Sequence, residues 1–369
     1  MMSNNNNGQF GLANVGNSCF LNSTVQCLVG TDGLREYFSQ KYELKNGTII
    51  NKFQIDLEFT KQNKNFKTKS KKLLTLHWHK LLEKLWYGPD PEHEHCSVVN
   101  PLPFYKQLAI VANESKKELA FNGTQNDFQE FLILLLEALH DSLSRETKMS
   151  ITGSDQNDMD KIDRMSYENY ILHFEKDMSI FVELFVGQIY TKIVGVECTH
   201  VSERCDPIQF FPLVVPESSR DVSLEYLLKD YSSETILDGD EKWFCDKCNQ
   251  KVKAISKISI WRLPQYLILS LGRYQYVPSL HKRNTKIDYP LENLNMYPFY
   301  SGFESNSLKY NLYAVGLHIG NPMGGHYISF RKNPDNNWYN FNDQSVSQIS
   351  PNVVVNPGAY CLFYKRSDL

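Results

Sequence analysis

The chain contains no long apolar run. Its longest, residues 131–136, is six residues, against the roughly 18 that a membrane-spanning helix needs, so no membrane partner is expected. It has no excess of either charge: 39 Lys and Arg stand against 42 Asp and Glu, a formal net charge of -3. That balance argues against nucleic acid or an anionic surface as partner, since both are bound by clustered positive charge. A signal peptide is not expected either. Residues 1–8 are Asn-rich and polar, without the basic start and apolar core of a signal peptide, and are expected to form a disordered tail. Sequons such as Asn122-Gly123-Thr124 carry no weight without secretion. Cysteine is sparse, eight in 369 residues at uneven spacing. The expected setting is intracellular, cytoplasmic with the nucleus also open, so disulfides are not expected. Each cysteine is read as core filler, metal ligand or nucleophile. No internal repeat is present.

What is there is ordinary globular material, 41% hydrophobic and 22% charged, long enough for one large domain or two average ones. Leu21, Val25 and Leu28 recur at helical spacing and predict a helix over 17–29, with Asn17 or Ser18 as N-cap. Residues 46–72 are polar, with six lysines from 61 to 72, and read as a solvated loop; helical periodicity resumes over 73–86. A second strong helix is expected over 126–143. Thr124 to Asp127 has the form of a capping box, and Phe128, Phe131, Leu132, Leu135, Leu136 and Leu139 share one face. The acidic stretch 150–163 reads as a surface loop. Beyond it, runs rich in Ile, Val, Tyr and Leu at 189–197, 257–262, 266–271, 310–318, 326–331, 338–341 and 360–364 read as strands. Helices first and strands later indicate an α+β protein with an antiparallel sheet.

Two regions carry chemistry. Cys19 lies at the start of the first helix, where the dipole and unpaired N–H groups favour a thiolate and a developing oxyanion. Gly16 permits a tight approach to that helix, and Asn14 is placed to add an amide donor to the oxyanion. Among ten histidines, His326 follows Gly324-Gly325 at the head of a strand, where Gly325 lets a substrate chain come close. A turn over 333–337 would bring Asn342 back beside His326 to fix its tautomer, in a Cys-His-Asn arrangement. A satisfied structural histidine in a turn is the competing reading of His326.

These segments resemble a known family. Gly11-Leu12-Ala13-Asn14-Val15-Gly16-Asn17-Ser18-Cys19-Phe20-Leu21-Asn22-Ser23 is similar to the cysteine box of the ubiquitin-specific proteases, which are cysteine deubiquitinases. Gly325-His326-Tyr327 with Trp338 and Phe341-Asn342-Asp343 is similar to their histidine box, and 125–131 to their glutamine-containing helix. Landmarks at 184–188, 263–264 and 269–274 follow in order, so the resemblance runs from Gly11 to about Lys365. It implies a papain-like cysteine protease fold of thumb, palm and fingers, with a helical thumb and antiparallel palm and fingers. One catalytic domain over 9–369 would place the thumb at about 11–145, the fingers at about 182–260 and the palm in the remainder. It implies hydrolysis after the C-terminal glycine of ubiquitin through a thioester on Cys19, with His326 as base, Asn342 as third catalytic residue and Asn14 at the oxyanion. By the same resemblance Asp127, Glu130 and Tyr327 line the channel for the ubiquitin tail. Ubiquitin and ubiquitinated proteins are the implied partners, and a monomer is expected.

Two departures matter. Many relatives carry Asp where this chain has Asn342, and Asp343 next to it is a candidate to supply the missing charge. Many hold zinc in the fingers through two C-x-x-C pairs. Here Cys245 and Cys248 form one pair, but Val201 stands where the partner of Cys198 would be. His200 or Cys205 could substitute, neither at the usual spacing. The expectation is therefore no required cofactor, and a finger held by strand pairing rather than metal. The clusters His77-Trp78-His79 and His93-Glu94-His95-Cys96 read as surface histidines. Two other functions stay open: a ubiquitin-binding pseudoenzyme, and a protease for another ubiquitin-like modifier.

Overall fold

The protein is described here from a computed structural model covering residues 8–43, 47–62, 69–88, 97–115, 124–275, 281–303, 307–321 and 324–369. All but Gly8 of the expected tail, residues 63–68 of the lysine-rich stretch, the His93–Cys96 cluster and Asn122 and Gly123 of the sequon lie outside the described residues.

The first half is helical because its apolar residues repeat at helical spacing. Helices α1 (Cys19–Val29), α2 (Asp32–Ser39), α3 (Lys52–Gln62), α4 (Lys69–Tyr87), α5 (Leu102–Glu114) and α6 (Phe128–Leu143) pack together, followed by α7 (Asp158–Phe174) and α8 (Ile180–Phe185). α1 is buried along its whole length. On α6, Phe128, Phe131, Leu132, Leu135, Leu136 and Leu139 are all fully buried. The cap of α6 differs from the expected box. Asp127 itself is the N-cap, its carboxylate accepting from the N–H groups of Gln129 and Glu130, so Thr124 to Asn126 stay outside the helix. α3 lies inside the stretch read as a loop. Among its described side chains, Phe53 and Leu57 bury an apolar face there. They are held by tertiary contacts, as is the buried Asp56, which accepts from Tyr37 Oη at 2.6 Å and Arg145 Nη1 at 2.5 Å. The acidic loop ends in α7, capped by Asn157.

The second half forms two main sheets. The larger has the spatial order Ser345–Ile349, Trp338–Asn342, Gly324–Lys332, Lys309–Asn321, Ala359–Arg366, Tyr266–Gly272, Phe211–Val214. It is antiparallel except where Phe211–Val214 pairs parallel with Tyr266–Gly272. The strand Tyr266–Gly272 is paired on both sides and buried on both faces, which accounts for its largely apolar sequence. Its side chains alternate between two cores: Tyr266 and Ile268 pack toward the helices, Leu267, Leu269 and Leu271 toward the opposite layer. That second layer includes α9 (Leu224–Tyr231) through Leu224, Leu227 and Leu228. The smaller sheet orders Val201–Ile208, Gly187–Gly195, Ala254–Arg262 and Glu234–Leu237. The hairpin of Trp243–Cys245 with Gln250–Val252 is a separate two-stranded piece. No described helix is long and apolar enough to cross a membrane.

Candidate active site

Cys19 is the first residue of α1 and is 4% exposed. The chain enters the helix through two left-handed residues, Gly16 at φ 105° and Asn17 at φ 47°. Asn14 organises this turn. Its Oδ1 accepts from the N–H of Gly16 at 3.1 Å and of Ser18 at 3.4 Å. Its Nδ2 donates to Asp343 Oδ2 at 2.8 Å, which fixes the amide with one N–H still able to point elsewhere. Burial pushes the Cys19 thiol above its ordinary value, and the Asp343 carboxylate adds to that; the N–H groups of Tyr327 and Phe20 oppose it. Burial disfavours the thiolate more than these N–H groups favour it. A base must take the proton.

His326 stands in the strand Gly324–Lys332. The turn over 333–337 closes as the sequence suggests: Asn333 N–H donates to Asn337 O at 2.9 Å, and Asn336 adopts φ 63°. The following strand, Trp338–Asn342, brings Asn342 back so that His326 Nε2 and Asn342 Oδ1 are 2.7 Å apart. With Asn342 Oδ1 as acceptor, this contact places the proton on Nε2 and leaves Nδ1 as the unprotonated nitrogen of a neutral ring.

Asp343, at φ 49°, does not face the imidazole with its carboxylate. Oδ2 takes Asn14, Oδ1 accepts from Asn22 Nδ2 at 2.7 Å, and its main-chain O accepts from Leu12 N–H at 2.8 Å. Asp343 thus ties the entry to α1 to the strand carrying Asn342. Asn22, buried on α1, is a site residue that the sequence reading missed; a polar residue on an otherwise buried helix was its only signal.

Asp127 turns both carboxylate oxygens inward. Oδ1 caps α6, and Oδ2 accepts from Tyr360 Oη at 2.7 Å and Tyr327 Oη at 3.2 Å. Glu130, one turn on, is exposed, and its carboxyl is raised by partial burial and by Asp127. Gly325 lies between two further side chains. Gln125 holds it from one side, donating from Nε2 to Gly325 O at 3.0 Å. On the other side a Cβ would collide with His318 Nε2 and with the carbonyl of Ile319, so only glycine fits. His318 is 4% exposed. Its Nδ1 faces Tyr274 Oη at 2.8 Å and Lys282 Nζ at 3.1 Å, both donors. It is therefore neutral with Nε2 protonated, and burial, then Lys282 and His326, push it down to about 4. Gln125 lies in the segment that resembles the glutamine-containing helix but was not read as a site residue, and His318, Lys282 and Tyr360 carried no separable signal in the sequence.

At the end of the smaller sheet, Cys198, His200, Cys245 and Cys248 converge, with ligand atoms all within 4.8 Å of one another. Cys198 and Cys245 Sγ are 4.0 Å apart, and His200 Nδ1 lies 3.3 Å from both Cys245 Sγ and Cys248 Sγ. The ligand set expected to be incomplete is thus filled by His200. Val194 pairs with Val201 and Gly195 N–H reaches His200 O, so the ligand comes one residue before the anticipated position, on a longer side chain. Cys205 is elsewhere, buried with Tyr190 and Trp261. His79 packs against Phe38 and Phe53. The four ligands could hold a metal ion.

The helical body, main sheet and projecting sheet have the thumb, palm and fingers layout of a papain-like fold. A solved structure of the SAGA Ubp8/Sgf11/Sus1/Sgf73 DUB module bound to ubiquitin aldehyde is similar over 99% of this chain and 71% of that one, with TM-score 0.68 at 21% identity. Human ubiquitin carboxyl-terminal hydrolase 2 is 32% identical over 98% of this chain and 56% of its own length. Ubiquitin carboxyl-terminal hydrolase 4 of Saccharomyces cerevisiae (strain S288c) is 26% identical over 96% of this chain and 39% of its own length. The chain thus spans about half the length of the curated relatives it matches. Residues 10–364, from just before the turn that Asn14 organises to the last strand of the main sheet, match the family profile described as Ubiquitin carboxyl-terminal hydrolase, and the chain belongs to that family.

Proposed function

We propose that this chain is a thiol-dependent deubiquitinase that hydrolyses the peptide or isopeptide bond after the C-terminal glycine of ubiquitin. The observation that carries the reading is the 2.7 Å His326–Asn342 contact on the strand pair that also supplies the Tyr327 N–H to Cys19. His326 Nδ1 takes the proton of the neutral Cys19 thiol, and the thiolate attacks the glycine carbonyl. The free N–H of Asn14 and the main-chain N–H groups at the start of α1 receive the oxyanion, one such donor contributing about 3 kcal/mol. His326 returns the proton to the leaving amine, and water activated by the same imidazole hydrolyses the thioester. Asn342 holds the tautomer. Asp343 acts through Asn14 rather than through the ring.

In this reading the helices up to α6 are the thumb, the smaller sheet the fingers and the larger sheet the palm. The ubiquitin tail runs past Gly325 and Tyr327, and Glu130 is the carboxylate with a free face toward it. Asp127 serves that channel from behind, by holding Tyr327 and Tyr360. We also assign zinc to Cys198, His200, Cys245 and Cys248. Three sulfurs and an imidazole at these separations suit tetrahedral zinc, which would cross-link two hairpins of the fingers.

A ubiquitin probe ending in propargylamide tests the proposal. Folded wild type should form a covalent adduct at Cys19, and Cys19→Ala should form none. No adduct with folded wild type would leave the ubiquitin-binding pseudoenzyme, and a panel of fluorogenic modifier substrates separates ubiquitin from its relatives.

A further inference from the structure

Arg331 is fully buried and, among the described residues, touches no carboxylate. Every oxygen it donates to belongs to a carbonyl or a side-chain amide. Nη1 reaches Gln26 O at 3.2 Å and Gln26 Oε1 at 3.0 Å, Nε reaches Asn333 Oδ1 at 3.0 Å, and Nη2 reaches Gly8 O. Its guanidinium carbon sits 4.2 Å from the ring centre of Phe341 and 5.5 Å from that of Trp86. Burial pushes its pKa down to about 9. A cation buried without a counter-charge is a poor way to stabilise a core, where an apolar side chain of similar volume would do as well or better. What the guanidinium supplies instead is direction: a rigid fork of N–H groups aimed at fixed acceptors.

Those acceptors lie on the elements that must be aligned for the reaction. Gln26 is seven residues after Cys19, two turns along the same face of α1. Arg331 is on the strand that carries His326. Phe341 immediately precedes Asn342, and Gly8 opens the segment that runs through Leu12 to Asp343. Gln26 is itself pre-set: its Nε2 donates to Phe10 O at 2.9 Å, which turns Oε1 toward Arg331. One side chain thus joins the helix of the nucleophile to both strands of the base and its partner.

We propose that Arg331 is a positioning residue that fixes the seating of α1 against the His326 and Asn342 strands. The inference rests on the function proposed above. Misplacing reacting groups by about 1 Å costs on the order of a hundredfold in rate, so a slip at this junction reaches the chemistry without touching it.

The test is the first-order rate of adduct formation with the ubiquitin propargylamide probe at saturation, with amplitude and half-saturation recorded separately. A loss of folded protein lowers the amplitude and leaves the rate constant alone; a misalignment lowers the rate constant alone. Arg331→Met should slow the step 10- to 100-fold with half-saturation within threefold, and Arg331→Lys should recover part of the rate. Should Arg331→Met fail to melt cooperatively, Gln26→Ala decides, with a three- to tenfold slower step expected. A folded Arg331→Met with the wild-type rate constant, or a wild-type rate in Gln26→Ala when the first variant does not fold, overturns the proposal. No adduct from folded wild type would instead sink the deubiquitinase reading, and this inference with it.

Discussion

Removing the Asp127 carboxylate separates an internal anchor from a substrate contact. In Asp127→Ala, α6 loses its N-cap, since Oδ1 is the acceptor for Gln129 and Glu130 N–H; a lost cap costs about 1 kcal/mol. The hydroxyls of Tyr327 and Tyr360, at 8% and 5% exposed, lose the oxygen they share. Each polar group left buried and unpaired costs about 1–3 kcal/mol, and the longer Tyr327 contact of 3.2 Å puts its share at the low end. The total is roughly 3–5 kcal/mol. Asp127→Asn keeps a capping oxygen, and its amide can donate to the tyrosine oxygens, so it should stay within about 1 kcal/mol of wild type. Urea denaturation reads both as midpoint shifts at unchanged slope. If Asp127→Ala unfolds at the wild-type midpoint and only weakens ubiquitin binding, the anchor reading is wrong and the residue meets the tail directly.

Asn14→Ala should lower kcat about 100-fold, or about 3 kcal/mol, with KM little changed, in a fluorogenic ubiquitin assay; equal loss in both parameters would exclude an oxyanion role. His200→Ala should abolish the zinc measured by elemental analysis and lower the melting temperature, whereas Cys205→Ser should keep the metal; zinc retained by His200→Ala would refute the ligand assignment. His318 has its folded pKa pushed below its unfolded value, to about 4, so its neutral burial contributes stability that is full above about pH 6.5 and is lost as the pH falls toward 4. Between pH 7.5 and 5 it should account for about 2 kcal/mol of the fall in stability, and His318→Gln should show a correspondingly flatter profile in urea titrations at the two values.

The local sequence was enough for some features because the cause of each is local. The periodicity of α1 and α6, the buried run at Tyr266, and the turn that returns Asn342 to His326 all depend on residues close in the chain. Local context suggested Cys19, His326, Asn342 and Asn14 as candidates, and the resemblance to the family gave them their proposed roles. The resemblance to the family placed those segments in one domain. Helix α3 was missed because the buried Phe53, Asp56 and Leu57 are supported by partners far away, and α7 because a polar, acidic stretch hides its start.

What tertiary structure decided is how far each side chain reaches and what it meets. It turned Asp343 from a neighbour of the base into the holder of Asn14 and Asn22. It made Asp127 a cap and a double tyrosine anchor, and it buried the Cys19 thiol so that desolvation raises its pKa at the start of the helix. It brought His200 beside Cys198, Cys245 and Cys248, which a count of C-x-x-C spacings cannot find because the imidazole arrives from the residue just before the strand Val201–Ile208. The sequence determines which groups are available, since chemistry belongs to residue types. Only the packed structure determines which of them are desolvated, paired or aligned, because those properties depend on atoms hundreds of residues apart.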